Sequence, residues 1–291
     1  MSATLVLGAS GLDGSHVLAA LGGHGIGASG TRISANGQSG LLHVDVRDGG
    51  AAAALLLQTH PEAVVLAAAF TDVEACEADP ETSYAVNVRG AANVVAAARQ
   101  VGARVVLLSS DYVFDGQAGP YRECDPVRPI STYGLHKVFA ELHVVAHAPR
   151  PLVVRTTVVY GREARGKNFV ARLSRELAAG RRIWIPADQV GTPTYAPDLA
   201  RAIVACLASG VSGVVHVVGS ERMARLEFAL RAARVLGLDC SLIEGVGTDA
   251  LRQRAARPRS AGLVPSHEVA ALGITMRGVE EGIADMMAGA P

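Results

Sequence analysis

The chain reads as an α/β fold, a doubly wound parallel sheet with a smaller, mostly helical substrate-binding lobe. Three observations carry that reading. Short apolar runs alternate with helical stretches through the first half, the pattern of strands that cross over to parallel neighbours. The first run is followed at once by Gly8, Gly11 and Gly14, spaced three apart ahead of a helical segment. Asp45, Ala67 and Ser110 each fall at the end of an apolar run, and a doubly wound sheet gathers such ends along one edge.

The whole chain sets limits on what that edge serves. With 291 residues it can bury a sizeable core, as one large domain or a domain plus a smaller lobe. Its 27 basic and 27 acidic residues balance, which argues against nucleic acid or an anionic membrane as the main partner. Cys76, Cys124, Cys206 and Cys240 are scattered and form no Cys-x-x-Cys pair, so a disulfide framework or zinc knuckle is not expected, and a reducing cytoplasm is. Met1 to Thr4 run straight into Leu5-Val6-Leu7 with no signal-like core, and no apolar run approaches the roughly 20 residues of a membrane-spanning helix.

Leu5-Val6-Leu7, the glycines and then Ser15 to Leu21 at helical spacing predict strand, turn and helix. Gly8 permits a tight turn, Gly11 lets backbone approach a pyrophosphate, and Gly14 lets helix and strand pack closely, with Ser10 and Leu12 between them. This is the phosphate cradle of a Rossmann sheet. The next strand, near Ile26 to Thr31, leads to Arg32-Ile33-Ser34 where an NAD site usually offers an acidic residue. A guanidinium and a hydroxyl suit a 2′-phosphate, which favours NADPH over NADH. Leu41 to Val46 predicts a third strand, with Asp45 and Val46 beside the adenine, although a strand-end aspartate equally serves as a helix cap. Helix is expected over Ala51–His60, strand over Ala63–Ala69, and one long amphipathic helix from about Glu81 to Val101. The small Ala67, Ala68 and Ala69 would let a flat cofactor lie against backbone.

Val105-Val106-Leu107-Leu108 is a buried strand that ends at Ser109-Ser110, and beyond it comes Tyr133-Gly134-Leu135-His136-Lys137. Residues four apart share a helix face, so the Tyr133 phenol and Lys137 ammonium converge on one volume. A nearby cation favours phenolate and lowers a phenol from its usual value of about 10, making a general acid. The Ser110 hydroxyl is placed to hold a carbonyl oxygen. The pair stands out from chance because the chain has 25 arginines and only two lysines, Lys137 and Lys167. Serine, tyrosine and lysine together suit carbonyl reduction.

His143 and His147 lack a third metal ligand and read as surface, so no metal is expected. Leu152 to Arg155 resumes the sheet, a helix is expected from Val170 to Ala179, a short outlying strand over Arg181–Pro186, and a helix from Pro197 to Gly210. Gly213 to Gly219 is another strand and the remainder is mostly helical. Its run Arg252 to Arg259 offers a diphosphate contact or a plain basic face. The cofactor domain is therefore 1–160 with 195–220 returning to it, and 161–194 with 221–291 forms the lobe.

On these residues the chain resembles the extended short-chain dehydrogenase/reductases, and within them the dTDP-4-dehydrorhamnose reductase group. The resemblance rests on the three glycines, Thr71-Asp72-Val73-Glu74, Val86-Asn87-Val88, Ser109 to Gly116, Tyr133 with Lys137, Asn168-Phe169-Val170, Asp188 to Tyr195 and Arg257-Pro258-Arg259. It implies a nucleotide-sugar ketone reduced by hydride from NADPH, with Tyr133 as proton donor, Ser110 holding the oxygen, and Lys137 tuning Tyr133 and binding the nicotinamide ribose. It further implies substrate contacts at Thr71, Val73, Asp111, Tyr112, Val158, Asn168 and Arg257, and a homodimer. Two departures stand out: Ser110 replaces the usual threonine, and Val158 stands where the group has tryptophan. Loss of that aromatic face alters pocket shape and leaves a non-sugar carbonyl as an alternative substrate. A third alternative, a non-catalytic NADP-binding subunit resembling the methionine adenosyltransferase beta subunit, is disfavoured by the complete Ser110, Tyr133 and Lys137 set.

Overall fold

The computed structural model describes residues 3–33 and 40–289. The opening apolar run is β1 (Thr4–Leu7), wholly buried, and the glycine turn leads into α1 (Leu12–Gly23). Then follow β2 (Ala28–Arg32), a short β3 (Leu42–His43), α2 (Gly49–Thr59) and β4 (Ala63–Leu66). Asp48 starts α2 by accepting from Ala51 N at 3.0 Å. Both β3 and β4 stop earlier than their apolar runs, so Asp45, Val46 and Ala67 to Ala69 lie in the irregular chain beyond the strand ends.

The long helix expected over 81–101 is interrupted. After α3 (Val73–Ala78), the span is built as α4 (Pro80–Tyr84), a π turn over Ala85–Arg89, and α5 (Gly90–Val101). Asn87 in the π turn accepts from Phe70 N at 2.9 Å and donates to Phe70 O at 3.0 Å. The extra residue in that turn thus carries an amide that pins the chain leaving β4, a device that recurs beside functional sites.

β5 (Arg104–Ser110), α6 (Thr132–His147) and β6 (Leu152–Thr156) complete the centre, with Ser131 capping α6. After β7 (Val159–Tyr160) come α7 (Phe169–Ala178), β8 (Ile183–Pro186), β9 (Val190–Gly191), β10 (Thr194–Tyr195), α8 (Ala196–Ser209) and β11 (Gly213–His216). The last part holds β12 (Met223–Ala224), α9 (Arg225–Val235), β13 (Ile243–Val246), α10 (His267–Ala270) and α11 (Val279–Ala288).

Seven strands form one parallel sheet in the order β11-β6-β5-β4-β1-β2-β3. Two apolar layers cover its faces. One joins Val6, Val106 and Val154 to α1 and α8, and the other joins Leu5, Val105 and Val153 to α2, α5 and α6. Successive strand residues point to opposite faces, which explains why these strands are apolar at consecutive positions through their centres. A third apolar cluster gathers Leu173, Phe228 and Ile283 from α7, α9 and α11, away from the sheet.

An extended strap over 258–264 ties the last part back onto the chain that follows β5 and onto β9. Ser260 N donates to Gly116 O at 2.7 Å, Tyr121 N to Gly262 O at 3.0 Å, and Val190 N to Arg259 O at 2.7 Å. Gly116, at φ 73°, is required here because a Cβ would stand 2.5 Å from Pro258 Cα. No helix among the described residues is long and apolar enough to cross a membrane.

Candidate active site

The carboxyl ends of β1, β4, β5 and β6 open on a cleft of about 460 Å³. Gly11 and Leu12 form its floor, Ala67 and Ala69 one side, and Ser110, Asp111 and Tyr133 its centre. The wall away from the sheet is built from Val158, Asn168, Gln189, Arg225 and the strap residues Pro258 and Ala261.

Ser110 ends β5 and Tyr133 opens α6, so strand register and helix start together fix their approach. Tyr133 is buried, packed edge-on against Tyr112 with ring centroids 5.6 Å apart. Lys137, one turn on, places Nζ 5.8 Å from the Tyr133 ring centroid and donates to Leu108 O at 3.0 Å. Burial pushes the Lys137 ammonium down to about 8, with Glu141 and Asp13 pulling the other way, so it still carries charge at neutral pH.

The phenol departs from the expectation drawn from spacing. Burial drives Tyr133 above its ordinary value, against the opposing pull of the Ser110 hydroxyl. Desolvation of the phenolate outweighs that hydrogen bond. The free site therefore stores its proton on a neutral tyrosine.

Ser110 Oγ donates to Asp111 Oδ1 at 3.1 Å, and Thr157 Oγ1 donates to Asp111 Oδ2 at 2.7 Å. Burial pushes the Asp111 carboxyl up.

Behind the site, Arg155 of β6 meets Glu141 of α6 at 2.7 Å, both nearly sealed, and Ser109 Oγ also donates to Glu141. Val158 lines the cleft with φ 46°, a left-handed conformation that a β-branched residue adopts only under constraint.

The family described as RmlD substrate binding domain matches residues 1–290. The chain belongs to that family. The dTDP-4-dehydrorhamnose reductase of Mycobacterium tuberculosis is 36% identical over 238 residues, 79% of this chain and 77% of its own length. The probable low-salt glycan biosynthesis reductase Agl14 of Haloferax volcanii is 33% identical over 291 residues, 97% of this chain and 96% of its own. Among solved structures, the dTDP-4-dehydrorhamnose reductase of Bacillus anthracis in complex with NADP aligns with a TM-score of 0.90 at 26% identity, over 99% of each chain. The resemblance to dTDP-4-dehydrorhamnose reductases within the extended short-chain dehydrogenase/reductases, and the Rossmann-type α/β fold it implied, are borne out.

Within this RmlD-family chain the expected site residues do not all reach the cleft. Thr71, Val73 and Tyr112 line it with Ser110 and Tyr133, two of the three residues expected to be catalytic, while the third, Lys137, is buried behind the lining. Gly8 and Ala68 lie beneath the cradle in mutual contact, and Ser10 Oγ accepts from Arg165 at 3.3 Å. Arg32 ends β2, while Ser34 lies outside the described residues. Asp45 is held by Arg47, whose Nε donates to it at 2.9 Å, and this partner keeps its carboxyl below the ordinary range. Val46 is buried beside it. Asn168 caps α7 and donates to Gly161 O at 2.8 Å, so its amide is already engaged. Arg257 does not line the cleft: it donates to Tyr112 Oη at 3.0 Å and to Glu74 at 2.8 Å.

Arg225 is one of the cleft residues that sequence reasoning missed, as are Asp13, Glu163 and Arg165. It opens α9, stacks over Phe169 at 5.0 Å, and lies close enough to Arg172 and Arg257 that burial and these two cations lower its pKa. Only the strand β12 directly before it marks it out, and that strand is two residues long.

Proposed function

We propose that the chain is an NADPH-dependent reductase of the keto group on a dTDP-linked 4-keto-6-deoxy sugar. The observation that carries this reading is one cleft where a glycine cradle, the Ser110 and Tyr133 hydroxyls and an arginine-bearing wall meet. The relatives named above act as its support.

The cradle fits a dinucleotide. Gly8 holds φ 88°, and a Cβ there would stand 2.5 Å from Ala68 N. No side chain caps α1, so its first-turn N–H groups remain for an anion. Arg32 Nε and Nη1 are buried without a hydrogen-bond partner among the described residues, which suits a 2′-phosphate and favours NADPH over NADH. When bound, NADPH supplies the hydride. Gly11, Leu12 and Ser10 hold the diphosphate, Asp45 and Val46 border the adenine, and Ala67 to Ala69 leave room for a flat ring.

Tyr133 gives its proton to the carbonyl oxygen as that oxygen becomes an alkoxide, and Ser110 donates a hydrogen bond to the same atom. Lys137 stabilises the phenolate left behind and binds the nicotinamide ribose. Arg225 meets the substrate diphosphate, with Arg257 orienting Tyr112 beside the sugar. Residues 161–194 and 221–291 form the lobe that closes over the sugar and excludes water, with 1–160 and 195–220 as the cofactor domain. Thr71, Val73, Asp111, Val158 and Asn168 shape the sugar end. Val158 is the one residue that favours a second reading, a non-sugar carbonyl substrate, because it offers little face for a pyranose.

Arg32→Ala is expected to raise the Kd for NADPH about 10- to 100-fold, the worth of a charged hydrogen bond. Affinity for NADH should not change. Fluorescence titration with both cofactors checks this, and an equal loss for both would argue against a 2′-phosphate contact.

The reading extends to a cytoplasmic homodimer. Leu135, Phe139, Leu142 and Val145 are exposed along one side of α6 and supply an apolar surface for a second copy. Sedimentation of Leu142→Glu against the unaltered chain tests it, with a shift from dimer to monomer as the expected result.

A further inference from the structure

The cradle carries a carboxyl that the reaction above does not use. Asp13 stands in the first turn of α1, between Gly11 and Gly14, and lines the same cleft as Tyr133. Its Oδ1 is buried and has no hydrogen-bond partner among the described residues. An acceptor in that condition loses its hydration without replacement.

Few charges offset it. Lys137 reaches toward it from α6 and favours the carboxylate, but that ammonium is already hydrogen-bonded to Leu108 O. Glu163, from the segment after β7, opposes the carboxylate, and accepts from Lys167 N and Asn168 N at 2.7 and 2.6 Å. Arg165 and Lys167 line the same cleft, and Arg165 is hydrogen-bonded to Ser10. His16, on the same helix, is turned to Arg162 O, and burial lowers its pKa, so it brings no charge at neutral pH. Burial dominates the balance and pushes the Asp13 carboxyl up to about 6.

NADPH brings further negative charge to this place, that of its diphosphate. It also removes remaining water. Both effects disfavour a carboxylate. We propose that Asp13 enters the NADPH complex as the neutral acid, taking one proton from solvent as the cofactor binds and presenting its O–H as a donor to the cofactor. This rests on the reading that the dinucleotide occupies the glycine cradle.

The sign follows from linkage. In the free protein Asp13 is mostly ionised at pH 7, above its pKa of about 6. If the bound form is the acid, uptake approaches one proton at pH 7 and vanishes well below pH 6, and the Kd for NADPH rises about tenfold per pH unit above 6. Lys137 keeps its charge at pH 7, which makes that the pH to use.

Isothermal titration of the full chain with NADPH at pH 7, in buffers of different ionisation enthalpy, reads the protons taken up. The unaltered chain should exceed Asp13→Asn by close to one proton. The 2′-phosphate titrates in the same range but contributes equally to both. Asp13→Leu serves as a second comparison should the asparagine variant fold poorly by circular dichroism. Equal uptake in the unaltered chain and either folded variant overturns the proposal while leaving cofactor binding intact. Failure of the unaltered chain to bind NADPH at all overturns the cradle reading and this proposal together.

Discussion

Tyr133→Phe is expected to lower turnover by about 10²- to 10⁴-fold, the range for loss of a positioned general acid. The rest of the site should survive the change. The ring keeps its edge contact with Tyr112 and its packing against Val73, Cys76 and Ala255. Only one buried hydroxyl is removed, so thermal stability should be unchanged or slightly raised. NADPH affinity should remain near that of the unaltered chain, since Lys137 and the cradle are untouched. Stopped-flow measurement of hydride transfer separates these terms. A variant that loses cofactor affinity and turnover together would show that Tyr133 acts through binding rather than as proton donor.

Glu141→Ala should produce the largest loss of stability. Glu141 and Arg155 are 6% and 5% exposed, and the guanidinium also lies 5.1 Å from the Phe114 ring. Removing the carboxylate strands a buried cation, at a cost of about 3–5 kcal/mol, or a fall in melting temperature on the order of 10 °C. The damage reaches the site through β5, where Ser109 donates to Glu141 next to Ser110. Exchanging both partners, as Glu141→Leu with Arg155→Met, should recover most of the stability, because no unpaired charge remains. Calorimetry of the single and double variants checks this; a single variant that melts with the unaltered chain would mean that Arg155 finds water.

What the sequence made legible was local. Gly8, Gly11 and Gly14 announce a turn by their spacing after an apolar run, a Cβ at Gly14 standing 2.4 Å from Gly8 O, and Tyr133 and Lys137 share a face by helix geometry alone. The parallel sheet followed from alternation of short apolar runs with helices. What stayed hidden depends on distant partners. The π turn at Ala85–Arg89 exists to bring Asn87 to Phe70, and no periodicity in 81–101 records that. Arg225 is one of 25 arginines, and only the fold selects it. Arg257 was expected at the substrate, yet Glu74 and Tyr112 hold it, a choice made by chain segments far apart in sequence. The direction of the Tyr133 shift was also out of reach, because spacing reveals the neighbouring cation but not the depth of burial.

The most direct test of the account is the loss of NADPH absorbance when purified protein meets a dTDP-4-keto-6-deoxy sugar, with Tyr133→Phe as control. The account predicts steady oxidation of NADPH matched by a reduced sugar product, and near silence in the variant. Tight NADPH binding with no reduction of any dTDP-linked keto sugar would contradict it, and would place Val158, rather than the shared cradle and Tyr133, as the residue that decides what enters the cleft.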